Sequence, residues 1–374
     1  MKNRVLAILL ASAVTLAGCG EKSSGEDEKW HLINNYTLDD TSRNGTFVTT
    51  AYERLDFLDY DSMIQSPVCD DPTCEHKDEK KCPAFGKSNH PFIRNDKLYY
   101  FKETDFYNLG EEQYVFDTEL WRCDLNGSND KMLDTFKGLD LRSFDTIVRR
   151  GDKLYIPFSK EIFDSDFSCA EPSVVLYEYD LSESKGRKLY ESVGFAGSGS
   201  NVYGIWEDKL YFCINHAEKN IPYKERVQQF AEEQGIDLSE AWTKYVANDK
   251  YVFEYYTYDI KADKVTELTD SIPAGISDKF LYTKDNNKLY AIDKKGEKLE
   301  LENSEGVNDI KVIDGYTSFN KDMITYLFDE DKQSVTKLND RYDIMSIAGG
   351  NVVYNYVEGY ELAYKKVKLD ELVS

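Results

Sequence analysis

One short phrase recurs along this chain: Asn95-Asp96-Lys97-Leu98-Tyr99, then Gly151-Asp152-Lys153-Leu154-Tyr155, then Glu207-Asp208-Lys209-Leu210-Tyr211, with both intervals 56 residues long. Looser versions follow at 277–282, 286–290 and 349–354. A second phrase trails the first: LWRCDL at 120–125, LYEYDL at 176–181, YTYDI at 256–260 and, less cleanly, LYAID at 289–293. From Leu98 to Asp124 and from Leu154 to Asp180 the lag is 26 residues. Each phrase joins an aromatic, branched run to polar turn formers, the pattern of a strand ending in a tight hairpin. A unit of this size cannot bury its own apolar faces, so neighbouring units must stack. Four-stranded sheets stacked face to face around an axis make a β-propeller.

The expected fold is therefore all-β, with units at about residues 45–70, 85–135, 137–190, 191–270, 271–302, 303–340 and 341–374. That count predicts seven blades, and six or eight are compatible with it because the units after 270 are short. Strands buried on both faces explain why apolar residues run together rather than alternate. The 28 Tyr and 19 Phe against 8 Pro and 5 Met suit strands. The ring is expected to close through an N-terminal strand, within residues 31–52, paired with the last blade. The glycine-rich run at 194–204 reads as an inter-blade turn, because it lacks the lysine of a phosphate loop.

From Leu210 to the next Asp-Ile phrase the lag grows to 49 residues, so an insertion at about 217–249 sits in the fourth unit. It reads as two short helices. Pro222 starts the first and Gly235 caps its end, while Asp237 or Ser239 caps the start of the second. The second helix carries Ala241, Trp242, Tyr245 and Val246 as an apolar stripe. That stripe either packs on the propeller or serves as a docking element, with Trp242 and Tyr245 at its centre.

The first residues, MKNRVLAILLASAVTLAGCG, put Lys2 and Arg4 before an apolar run from Val5 to Ala17 that is too short to span a bilayer. This is an export signal at 1–18, followed by a polar tether at 19–29 and the propeller domain at 30–374. The ending Leu16-Ala17-Gly18-Cys19 resembles the bacterial lipobox. The resemblance implies lipid on Cys19 and an address at the cell membrane, on its extracytoplasmic face. Loss of Lys2 and Arg4 takes the formal charge from −23 to −25. Such a chain repels phosphate backbones, so nucleic acid is not an expected partner, and membrane contact falls to the lipid.

The repeated aromatic strand ending in Asp-Leu resembles the blades of the bacterial TolB-like and the low-density-lipoprotein-receptor-like propellers, although the YWTD tetrapeptide is absent. Together with the lipobox and a cysteine-rich segment, the chain is similar to propeller lipoproteins of the bacterial surface. The resemblance implies a fold and an address, with no activity attached.

That cysteine-rich segment, CDDPTCEHKDEKKC from Cys69 to Cys82, connects the first and second units. Cys69, Cys74, His76 and Cys82 supply the four donors of a structural zinc site. However, His76 lies only two residues from Cys74, which makes joint ligation look awkward. An exported chain can also oxidise its thiols, so a disulfide staple and free thiols stay open beside the metal. Cys123 and Cys213 fall inside predicted strands and Cys169 in a loop.

No Gly-x-Ser-x-Gly elbow or calcium loop is present in the sequence. The expectation is a binding module for a peptide, a glycan or an envelope protein, and not an enzyme. The alternative is a glycosidase or lyase using carboxylates in the central channel.

Overall fold

The polar half of the first phrase is a turn, and in several copies two successive residues of it take positive φ. In the computed structural model these are Asn95 and Asp96 (51° and 56°), Glu207 and Asp208 (48° and 62°), and Asn286 and Asn287 (47° and 67°). Paired positive φ values give the two-residue hairpin whose twist matches its strands, and Asn and Asp tolerate that region best. The aspartate ending the second phrase ties a second kind of turn. Asp180 accepts the backbone N–H groups of Ser182 and Glu183, Asp259 those of Lys261 and Ala262, and Asp329 those of Asp331 and Lys332. These are Asx turns, and they end one strand where the next must begin.

The structure describes residues 29–373 apart from 34–43, 51–52, 106, 111–112, 143–144, 161, 163–172, 193–195, 218–222, 246–250, 270–271, 308–309, 314 and 359–360. Among these residues the strands form seven blades, at 45–67, 89–136, 147–191, 196–268, 272–300, 310–337 and 343–368. The first and last blades have three strands, and the rest have at least four. First strands of successive blades touch around the axis from the third blade to the seventh. Apolar clusters fill the joints between blades: Phe92, Phe101, Phe136 and Phe158 between the second and third, and Tyr155, Leu210 and Phe212 between the third and fourth. Leu98, Leu154 and Leu210 begin equivalent second strands and are fully buried.

Closure differs from expectation. The N-terminal strand, Trp30–Ile33, does not pair with the last blade. It lies antiparallel to Ile147–Arg150, the first strand of the third blade, and touches the first strands of the second and fourth blades. It therefore runs inside the channel, and among the described residues no strand is shared between the last blade and the first. The physical reason is the open inner edge of Ile147–Arg150, whose buried backbone groups need partners. Trp30 and Leu32 turn toward the third and fourth blades, while Ile33 enters the core between the second and third.

The glycine-rich run is also not a turn. Most of it belongs to the strand Ala196–Trp206, whose register shifts between Ala196 and Ser200 and between Val202 and Gly204. Gly204 takes φ +135°, and a Cβ there would sit 2.6 Å from the Trp30 ring.

The insertion forms the expected helices, Tyr223–Gln234 and Leu238–Tyr245. Gly235 (φ 64°) follows the first, and Asp237 caps the second by accepting the Glu240 N–H at 2.8 Å. No helix among the described residues is long and apolar enough to cross a membrane. The signal, Cys19 and the tether before Lys29 lie outside the described residues.

Candidate metal centre

The cysteine segment leaves the strand Gln65–Pro67 of the first blade and reaches Asn89 of the second. Short turns fold it back on itself: Asp71 accepts the Thr73 N–H at 2.8 Å, and the Asp78 carbonyl accepts the Cys82 N–H at 2.9 Å. His76 takes φ +54°, a left-handed conformation that reverses the chain immediately after Cys74. That reversal removes the difficulty foreseen for His76. The Sγ atoms of Cys69, Cys74 and Cys82 and the His76 ring nitrogen all lie within 4.8 Å of one another. Cys82 Sγ is 3.6 Å from His76 Nδ1, and Cys74 Sγ accepts the His76 backbone N–H at 3.4 Å.

The segment is fastened on both sides. Arg54 forks onto Asp56, at 2.7 and 2.8 Å, and donates from Nη1 to the His76 carbonyl at 3.2 Å. Asp70 accepts from Asn126 in the turn of the second blade at 3.1 Å. Gly127 of that turn (φ +77°) lies so close that a Cβ would meet the Pro83 carbonyl oxygen at 2.6 Å.

Burial pushes the Cys82 thiol up to about 11 and also raises Cys69. Without a cation these sulfurs hold their protons; a metal ion binds the thiolates and releases the protons. A tetrahedral zinc ion, with Zn–S near 2.3 Å, needs donors roughly 3.5–3.8 Å apart. The cluster reaches that spacing by contracting about 1 Å, and its soft sulfur and imidazole donors suit zinc. The five described cysteines, including Cys123 and Cys213 buried within strands, are free thiols. Cys169 lies outside the described residues.

The proposed docking residues fare differently. Trp242 is half-buried in a cluster made only of insertion residues, with Val227, Ala231 and Ala241 at its centre. Tyr245 ends the second helix, and its side chain lies outside the described residues. The large exposed apolar residues described in this blade are Leu238, Val252 and Phe253, the last 52% exposed. Phe253 sits directly after the insertion in a strand of uniform aromatic character, so nothing in the sequence separates it from its buried neighbours.

Sequence reading also missed a group of buried ionisable residues between the second and third blades. His90, wholly buried, donates from Nε2 to the Asp145 carbonyl at 2.7 Å. Asp145 accepts the Arg142 N–H through Oδ2, while its buried Oδ1 has no partner. Asp140 lies 3.7 Å from Arg142. With 69 acidic residues in the chain, composition could not single these out.

No family model matches this chain, and no curated protein matches it. Solved structures do. An oligogalacturonate lyase in complex with manganese is similar at a TM-score of 0.51 and 9% identity, covering 91% of this chain and 90% of that one. The oligogalacturonate lyase of Vibrio parahaemolyticus is similar at a TM-score of 0.50 and 10% identity, over 91% of each chain. TolB from Acinetobacter baumannii is matched at a TM-score of 0.35 and 13% identity, over 87% of this chain and 76% of that one. Identity this low speaks for the fold alone. It does correct one expectation. The reading that the chain is not an enzyme fails, because two chains sharing this propeller along nine-tenths of their length are lyases. The fold gives no ground for excluding catalysis.

Proposed function

We propose that this chain is a lipid-anchored propeller on the extracytoplasmic face of the cell membrane that acts as a binding module. A structural zinc ion is held by Cys69, Cys74, His76 and Cys82. The partner is a peptide, a glycan or an envelope protein; the formal charge of −25 left after loss of Lys2 and Arg4 disfavours nucleic acid.

The observation that carries this reading is the course of the N-terminal strand. Trp30 pairs with Arg150, the last residue before a first-to-second-strand turn, and Lys29 lies 3.7 Å from Asp278 in the equivalent turn of the fifth blade. The chain thus enters at the axis, on the face that carries these turns. Ten residues, 20–29, separate Cys19 from Trp30, and fully extended they span at most roughly 36 Å. Reaching the opposite face means passing about 20 Å outward across four strands and about 25 Å along them. An anchor at Cys19 therefore turns the opposite face outward. That face carries the helical insertion, which joins the second and third strands of its blade.

The test has two parts. Cells expressing the full chain are fed an alkyne fatty acid: the wild type carries label and stays with membranes, and Cys19→Ala does neither. The purified protein lacking the signal is then titrated onto washed cell envelopes. Saturable retention is expected, reduced at least tenfold by Phe253→Asp with the fold unchanged. Retention that never saturates ends the binding reading.

A further inference from the structure

We propose that the zinc ion is the clasp of an otherwise unclosed ring, holding the first blade in place so that the first blade can hold the last. This rests on the zinc reading above and adds to it a mechanical role at a distant joint.

The first blade is the smallest of the seven, with strands Gly45–Thr49, Leu55–Asp59 and Gln65–Pro67. Alternation along these strands sends side chains to both faces. Phe47, Leu55 and Phe57 face the second blade and the cysteine segment, in a cluster that includes Cys69, Cys74, Cys82 and Ala84. Val48, Leu58 and Tyr60 face the last blade, where they meet Val353, Met345 and Tyr364. One face of this thin sheet thus rests on the metal loop and the other forms the seam of the ring.

The loop also supplies backbone partners to the blade. Ala84 accepts the Leu55 N–H at 2.8 Å, and Arg54 pairs with Phe85 as an isolated bridge. Arg54 then joins the His76 carbonyl to buried Asp56, which Gln65 also contacts at 2.8 Å. A metal ligand is in this way tied to all that follows in the sheet.

The seam itself has little to hold it. Among the described residues no strand crosses it, and its cluster has four buried residues against thirteen between the second and third blades. A cavity of about 260 Å³ opens there, lined by Asn44, Tyr60 and Asp61 on one side and Ser346, Gly349 and Lys366 on the other. Lys366 spans it, donating to the Tyr60 carbonyl at 2.7 Å. Ordered strands in the first blade are what keep Tyr60 and Leu58 in position. If the loop loosens, the blade loses one face of its core and the seam loses its support.

Hydrogen exchange on the metal-loaded full-length protein, before and after chelation, tests this. One zinc per chain is expected at the start. After removal, amides in Gly45–Thr49 and Leu55–Asp59 should exchange at least tenfold faster, with Asp343–Ala348 and Glu361–Lys368 following across the seam. Phe280–Asp285 and Lys209–Ala217, on the far side of the ring, should change less than twofold. His76→Cys should keep both metal and protection; His76→Ala should lose both. Metal loss with Asp343–Ala348 and Glu361–Lys368 still protected overturns the clasp while leaving the zinc site standing. An equal rise at Phe280–Asp285 overturns it as well, because the metal would then serve the whole fold. Protein isolated without zinc, and unable to take it up, defeats the zinc reading itself.

Discussion

At the scale of single residues, Asp145 shows how burial changes a carboxylate. It is 1% exposed, and desolvation pushes its pKa up to about 7, against the pull of Arg142 and with help from Asp140. Asp140 rises to about 6 by burial and the nearby Glu103, and burial drives His90 down to about 4. A carboxylate raised in the folded state binds its proton more tightly there than when unfolded. Its contribution is complete below the unfolded value and is lost as pH rises through about 7. His90 acts oppositely: its contribution is present above the ordinary histidine value and is lost as pH falls through about 4. Asn mimics the protonated aspartate, so Asp145→Asn should stabilise the protein by about 4 kcal/mol at pH 8 and by little at pH 4. Urea unfolding at the two pH values checks this, and equal effects at both would show that Asp145 is not held neutral. Nothing in the sequence marks these residues, since their chemistry comes from neighbours contributed by two different blades.

At the scale of elements, local chemistry was readable wherever the signal lay within a few residues. Pro222, Gly235 and Asp237 delimited the helices, and the paired Asn and Asp residues delimited the hairpins. The glycine run at 194–204 was misread because Gly204, at its end, serves a contact with Trp30, more than 160 residues earlier in the chain. Gly204→Val tests that contact. The new side chain meets the Trp30 ring and must adopt φ +135°, which only glycine takes freely. A cost of about 1–3 kcal/mol is expected. It should appear as at least tenfold faster amide exchange in Trp30–Ile33, with Lys153–Lys160 unchanged. Retained protection in Trp30–Ile33 would mean that the strand does not depend on this packing.

At the scale of the whole molecule, a strand in the channel gives the propeller a polarity. Turns after first and third strands share one face, as the 2.6 Å pair between Lys261 and Asp208 shows. In anchored cells, a bulky maleimide reagent should label Lys244→Cys, on the helical face, at least fivefold faster than Lys295→Cys, on the turn face. Both positions are exposed, so equal rates would remove the orientation argument.

Spacing alone made the blades legible, because each repeat phrase carries its own turn and its own strand start, and these depend on neighbours in sequence. The four residues of the candidate metal site were legible for the same reason. Their convergence was not, since it needs the left-handed turn at His76 and the support of Arg54 from another strand. Closure was also undecidable from the sequence. A four-residue, mostly apolar strand suits any open sheet edge, and only the assembled ring shows that the edge most in need of a partner is the inner one, buried in the channel.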